Sequence, residues 1–351
     1  MISATTGTPK VCNKCKGIFN SKRSGIRRPI TIIYTAISIS LCHFYNFAYA
    51  TAPFRVGVSF MATKTIEKII APPPPHMVGD GFRVHNFFPG NHIGNARMSP
   101  FFLLDYNAKI DFSPRENPRG VGVHPHRGFE TVTIAYQGKV SHHDSYGNSG
   151  TIGEGDVQWM TAGSGVLHKE YHDAEYSRQG GPFQMVQLWV NLPAKDKMTT
   201  PGYQAITAAQ MGKYPLPANG GVVEVRAGEY GGVKGPATTY SPIQMYNARL
   251  NKGAKLTLNL PATYNTGILV VEGSIKVNGT ENAPTDNFIL FANDGDEISI
   301  EAPEDCVLLI LSGEPINEPI AAYGPFLMNT HEQLEQALQD VRSGKFGHLD
   351  E

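Results

Sequence analysis

The heptapeptide HPHRGFE, residues 124–130, sets two histidines two apart and a glutamate four positions further on. Alternate side chains of a strand point the same way, so His124 and His126 share a face. Some forty residues later GSGVLHKEY repeats the spacing with His168 and Glu170. If the two segments face each other across a barrel, three imidazoles and one carboxylate converge. That donor set suits Fe(II), Mn, Ni, Cu or Zn and is too rich in nitrogen for Mg or Ca. Either pair alone reads as a solvent-facing polar strand. Two pairs, each beside a glycine-rich turn, favour a metal site.

Other groups stand close in sequence. Glu130 has the strand parity of His124 and His126, which makes it a fifth or alternative ligand. His142 and His143 occupy the next strand, where one faces the pocket or, as the favoured reading, both belong to a solvated turn. His172 reads as a surface residue or one standing behind the ligands. Trp159, Trp189 and the methionines near them read as barrel filling. After residue 172 only His331 and His348 remain, so the second half offers no comparable set.

Elements must hold these residues in place. Pro125, between the two histidines, cannot donate to a ladder, so its strand belongs at an edge or an irregular barrel mouth. Gly163 and Gly165 let the backbone turn sharply into His168. Short strand-like runs recur at 101–106, 129–138, 157–163, 183–192, 222–232, 255–260, 267–279, 287–294 and 307–313, split by Gly, Asn, Asp and Pro. With 37 Gly, 25 Pro and 17% charged residues, the pattern is that of an all-β chain of sandwiches or barrels. The halves echo each other: VTIAYQGKVSHHD against ILVVEGSIKVNG, then GEGDVQWM against ANDGDEISI. A duplicated barrel follows. One helix is expected over 330–343, with Thr330 and Gln333 as a capping box, Leu334, Leu338 and Val341 on one face, and Gly344 as the stop.

Charge is divided unevenly. Of the 30 Lys and Arg, eight fall in residues 1–60, which hold no Asp or Glu; the other 22 face all 31 acids, a net of −9. So acidic a body disfavours direct nucleic-acid binding. The basic stretch ending at Arg28, the uncharged run from Pro29 and the Ala48-Tyr49-Ala50 end form a signal-like pattern with cleavage after Ala50. The competing reading starts translation at Met61 and leaves the protein cytoplasmic. In either case residues 1–60 stand outside the fold. Cys12 and Cys15 form a lone CxxC without the second pair that a structural zinc needs.

The chain resembles the pirin family of the cupin superfamily, in its bacterial form. The carriers are HPHRGFETVT (124–133), DSYGNSGTIGEGDVQWMTAGSGVLHKE (144–170), GPFQMVQLWVNLP (181–193) and YGPFLMNT (323–330). The resemblance implies two tandem cupin barrels: residues 61–195 as the metal-binding one, residues 196–351 as a metal-free one with the terminal helix. It implies one divalent metal, usually iron, on His124, His126, His168 and Glu170. Glu130, the glutamate of the general cupin pattern, then becomes a pocket or structural residue, and Thr161 stands where that pattern expects proline. The implied activity is that of a quercetin-type flavonol 2,3-dioxygenase using O2, with Glu170 also accepting the substrate proton. Oxygen would add across the C2–C3 bond and release carbon monoxide. The alternative is a metal- or redox-sensing regulator that works through protein contacts. A monomer is expected.

Overall fold

Apolar–polar alternation becomes strand wherever a turn residue lets the chain reverse, and the computed structural model describes residues 62–351. The expected cleavage after Ala50, the alternative start at Met61 and the Cys12–Cys15 motif lie outside the described residues. Four antiparallel sheets form two barrels of one plan, each joining a seven-stranded sheet to a four-stranded one. In the first, the large sheet includes Phe101–Phe112, Phe129–Gln137, Val157–Thr161 and Gly181–Asn191. Its small sheet runs Gly120–His126, Val166–His172, Val140–Asp144, Ser149–Ile152 in spatial order. The duplication read from the echoing halves is present in the sheets themselves.

The two large sheets pack on one another through a shared core. Val132, Ile134 and Leu188 of the first meet Met245, Leu269, Phe288 and Leu309 of the second, all buried. Side chains of this size contribute roughly 1.5–3 kcal/mol each when fully buried, so the interface between barrels is a stability element in its own right. Trp159, fully buried, belongs to this layer. Each large sheet also takes a strand from the other side of the chain. Ile66–Ile70 pairs with Phe288–Phe291 of the second barrel, and Gly202–Ile206 pairs with Val157–Thr161 of the first. The division expected between residues 195 and 196 is therefore not where the strands divide. An open edge accepts any extended segment that can reach it, and that choice leaves no mark in side-chain pattern.

The terminal helix runs His331–Arg342. Thr330 Oγ1 accepts from Gln333 N–H, and Gln333 Oε1 accepts from Thr330 N–H, completing the expected capping box. Leu334 and Ala337 are buried with Phe326 and Phe346, and Leu167 of the first barrel packs against them. Arg127 reaches Asp340 at 2.9 Å, both side chains nearly out of solvent. The helix that the sequence assigned to the second domain is thus seated on the first, beside the strand Val166–His172.

Candidate metal centre

The site is built on one sheet rather than across a barrel. Gly120–His126 is the edge strand that Pro125 called for, and it pairs antiparallel with Val166–His172. His168 stands directly opposite His124, and Val166 opposite His126. The register slips between His168 and Glu170, so Glu170 meets Val121. On the far side of the same strand Glu170 faces His142, and His168 faces Asp144. Gly163 and Gly165, both at positive φ, make the turn before this strand. A side chain at Gly163 would strike the Thr199 carbonyl, and one at Gly165 the Phe346 ring, so glycine is required at both.

His124, His126 and His168 place ligand atoms within 4.8 Å of one another. Each ring is held through one nitrogen. His124 Nδ1 donates to the Gly122 carbonyl at 2.8 Å, and His126 Nδ1 to the Pro325 carbonyl at 3.3 Å. His168 Nδ1 lies 3.4 Å from His142 Nδ1. The remaining His168 Nε2 is buried without a hydrogen-bond partner. Burial, with the neighbouring imidazoles adding to it, holds the pKa of His126 and His168 well below the ordinary histidine value, so both rings are neutral with free lone pairs. An orphaned, buried, neutral nitrogen facing two others is what a transition-metal ion needs. The residues fit such an ion.

Glu170 is placed differently from the histidines. Its ligand atoms group with His168 and His142 rather than with His124 and His126. The large sheet holds its carboxylate: Gln187 Nε2 donates at 2.7 Å, Thr133 Oγ1 at 3.1 Å, and Gln158 Nε2 also donates. Glu170 and His124 still line one cavity of about 30 Å³, whose other walls are Val78, Phe82, Val84, Val121, Met185, Asp105 and Gln187. Burial pushes the Asp105 carboxyl above its usual range, against a hydrogen bond from Asn86. Trp189 backs the site, edge-on to His126 and stacked on Phe129.

Three sequence expectations need correction. Glu130 is not among the grouped ligands. The chain turns at Arg127 and Gly128, which has φ of +87°, so strand parity does not carry across from His126. Glu130 is buried and accepts a 2.7 Å bond from Thr161 Oγ1, which gives the residue standing in place of proline a partner. His142 is not in a solvated turn: it is fully buried on a regular strand while His143 is exposed. The V-x-H-x-D alternation of Val140, His142 and Asp144 carried that signal. His172 is not on the surface but buried among Phe82, Phe112 and Phe183.

Family comparison fits this geometry. The profile described as Pirin matches residues 81–190, and the Pirin C-terminal cupin domain matches residues 245–347. The chain belongs to the pirin family, within the cupin superfamily. Among pirins and their relatives, a Pseudomonas aeruginosa protein named "Putative quercetin 2,3-dioxygenase" is 48% identical over 77% of this chain and 94% of its own. Human pirin is 34% identical over 77% of this chain and 89% of its own. The crystal structure of an Acinetobacter baumannii protein named quercetin 2,3-dioxygenase superposes with a TM-score of 0.78 at 48% identity, covering 82% of this chain and all of that one.

Proposed function

We propose that this pirin is an iron-dependent dioxygenase that opens a flavonol such as quercetin with O2. The observation that carries the reading is the cluster of three histidines, His126 and His168 buried and His124 half-buried, beside the Glu170 carboxylate on a cavity walled in part by Val78, Phe82, Val84, Val121 and Met185. A divalent transition metal held by His124, His126, His168 and Glu170, Fe(II) or else Mn, Ni, Cu or Zn, would supply Lewis-acid polarisation and open coordination positions. The chain's own residues do the rest. Glu170, held as an acceptor by Gln158, Gln187 and Thr133, receives the proton of the substrate hydroxyl. Val78, Phe82, Val84 and Met185 exclude water from the reacting face. Overall, one flavonol and one O2 give the ring-opened ester and one carbon monoxide.

One observation favours a second reading. A cavity of about 30 Å³ holds little more than a single small molecule, so a flavonol enters only if the wall of Val78, Phe82 and Val84 moves. A metal- or redox-sensing regulator acting on a protein partner needs no such opening. The deciding experiment loads the protein with Fe(II), measures bound metal, and follows quercetin loss and O2 uptake in wild type and Glu170→Ala. Stoichiometric iron with turnover lost in the variant supports the dioxygenase. Stoichiometric iron without turnover on any flavonol overturns it in favour of the sensor.

A further inference from the structure

His168 has a second imidazole behind it. His142 Nδ1 lies 3.4 Å from His168 Nδ1, and His142 Nε2 lies 3.3 Å from Asp144 Oδ2. Asp144 takes further bonds from Tyr146 N–H at 2.9 Å, Asn148 N–H at 3.0 Å and the Asn148 amide at 2.9 Å. All of these are donors, so Asp144 acts as a carboxylate acceptor. The Tyr203 ring stacks on His142, centroids 4.9 Å apart and 17° from parallel. His142 and His168 are both fully buried, and Asp144 nearly so.

Counting protons fixes the direction of this chain. His168 Nε2, the atom left without a partner, must offer a lone pair to bind a metal. Neutral imidazole carries one N–H, so His168 Nδ1 holds the proton and donates it. His142 Nδ1 must then be bare to accept. The single proton of His142 sits on Nε2 and points at Asp144. Only one arrangement satisfies every atom, and each bond in it runs from the ligand toward the carboxylate.

We propose that His142, oriented by Asp144 and stacked against Tyr203, is a positioning residue that fixes His168 in the tautomer with a bare Nε2 aimed at the metal. The inference rests on His168 being a ligand, as in the function proposed above. It extends the familiar carboxylate–histidine–metal arrangement by one ring. Gly202–Ile206, which carries Tyr203, is the strand that joins the first barrel from beyond its last core strand, so tuning of the metal reaches a residue outside the ligand sheet. His142, His168 and Glu170 also group closely enough to hold an ion themselves. Because His168 Nδ1 is the atom that faces His142, that would require a second metal bridged through the His168 ring.

The test uses the full chain loaded with Zn(II). Proton–nitrogen NMR of the histidine side chains in wild type should show the proton of His168 on Nδ1 and that of His142 on Nε2; a proton on His142 Nδ1 overturns the proposal even if every variant misfolds. In chelator competition, His142→Phe should bind zinc about 10–100-fold more weakly at an unchanged stoichiometry of one, in the range of a lost outer partner. His142→Asn, whose Oδ1 can take the place of the accepting nitrogen, should recover most of that loss. Equal affinity in His142→Phe and wild type overturns the inference. Two zinc ions in wild type falling to one in His142→Phe also overturn it, by making His142 a ligand. Wild type that binds no zinc at all defeats the ligand assignment of His168 itself, a different failure from either.

Discussion

His124 and His168 stand opposite each other on adjacent antiparallel strands, their rings 4.2 Å apart between centroids. Cross-strand neighbours are the closest side-chain pairs a sheet offers, so the two rings meet only where these two strands are paired. Metal should therefore report directly on folding stability. An ion at 100 times its dissociation constant adds about 2.7 kcal/mol to the folded state. Thermal melts with and without Fe(II) or Zn(II) should show that gain in wild type, reversed by chelator. His168→Gln should melt at the same temperature with and without metal; a persisting shift would place the ion elsewhere.

Glu130 gives a pH signature apart from the metal. Burial pushes its carboxyl from 4.5 up to about 7, against the hydrogen bond from Thr161. The folded protein keeps this proton to a higher pH than the unfolded chain does. Its stability contribution is full below about pH 4.5 and is lost as pH rises through about 7. Glu130→Gln should be close to neutral at pH 4.5 and stabilising at pH 8, by at most about 3 kcal/mol from the size of the shift. Denaturant titrations at the two pH values decide it, and an equal effect at both would refute the assignment.

Asp340 touches no ligand, yet its pair with Arg127 fastens the terminal helix beside His126. Breaking one partner of a buried pair costs about 3–5 kcal/mol. Asp340→Ala should lower stability by that order and also weaken metal binding, because the Pro325 carbonyl that orients His126 belongs to the same segment. A destabilised variant with wild-type metal affinity would uncouple the two.

Val78 forms part of the cavity wall on the short edge strand His76–Val78 and is only partly buried. Val78→Ala should cost little stability and widen the entrance. The expected outcome is a lower KM for quercetin with kcat changed much less. An unchanged KM would mean that entry does not pass this wall.

The fold and the ligand spacing were legible for a local reason. Period-two alternation, Pro125 at an edge and the glycines before His168 are short-range signals, and the structure keeps each of them. What stayed hidden depends on who pairs with whom. Adjacent pairing of the two ligand strands, rather than an approach across a barrel, is a register fact. So is the slip that sets Glu170 against Val121. Strand parity alone sets Glu130 beside the histidines, and the turn at Gly128 resets that parity, leaving it the buried structural residue that the family resemblance implied. His142 was underrated because a His-His dipeptide looks solvated unless Val140 and Asp144 are counted with it.

The seat of the terminal helix carries a consequence for how the protein is made. Pro325 lies 199 residues beyond His126, and Asp340 lies 213 beyond Arg127. A ribosome delivers all three histidines well before the segment that braces His126. Until Pro325 has emerged, the first barrel has His126 unbraced, so on the proposed ligand set a nascent chain stalled before that residue holds an unfinished site.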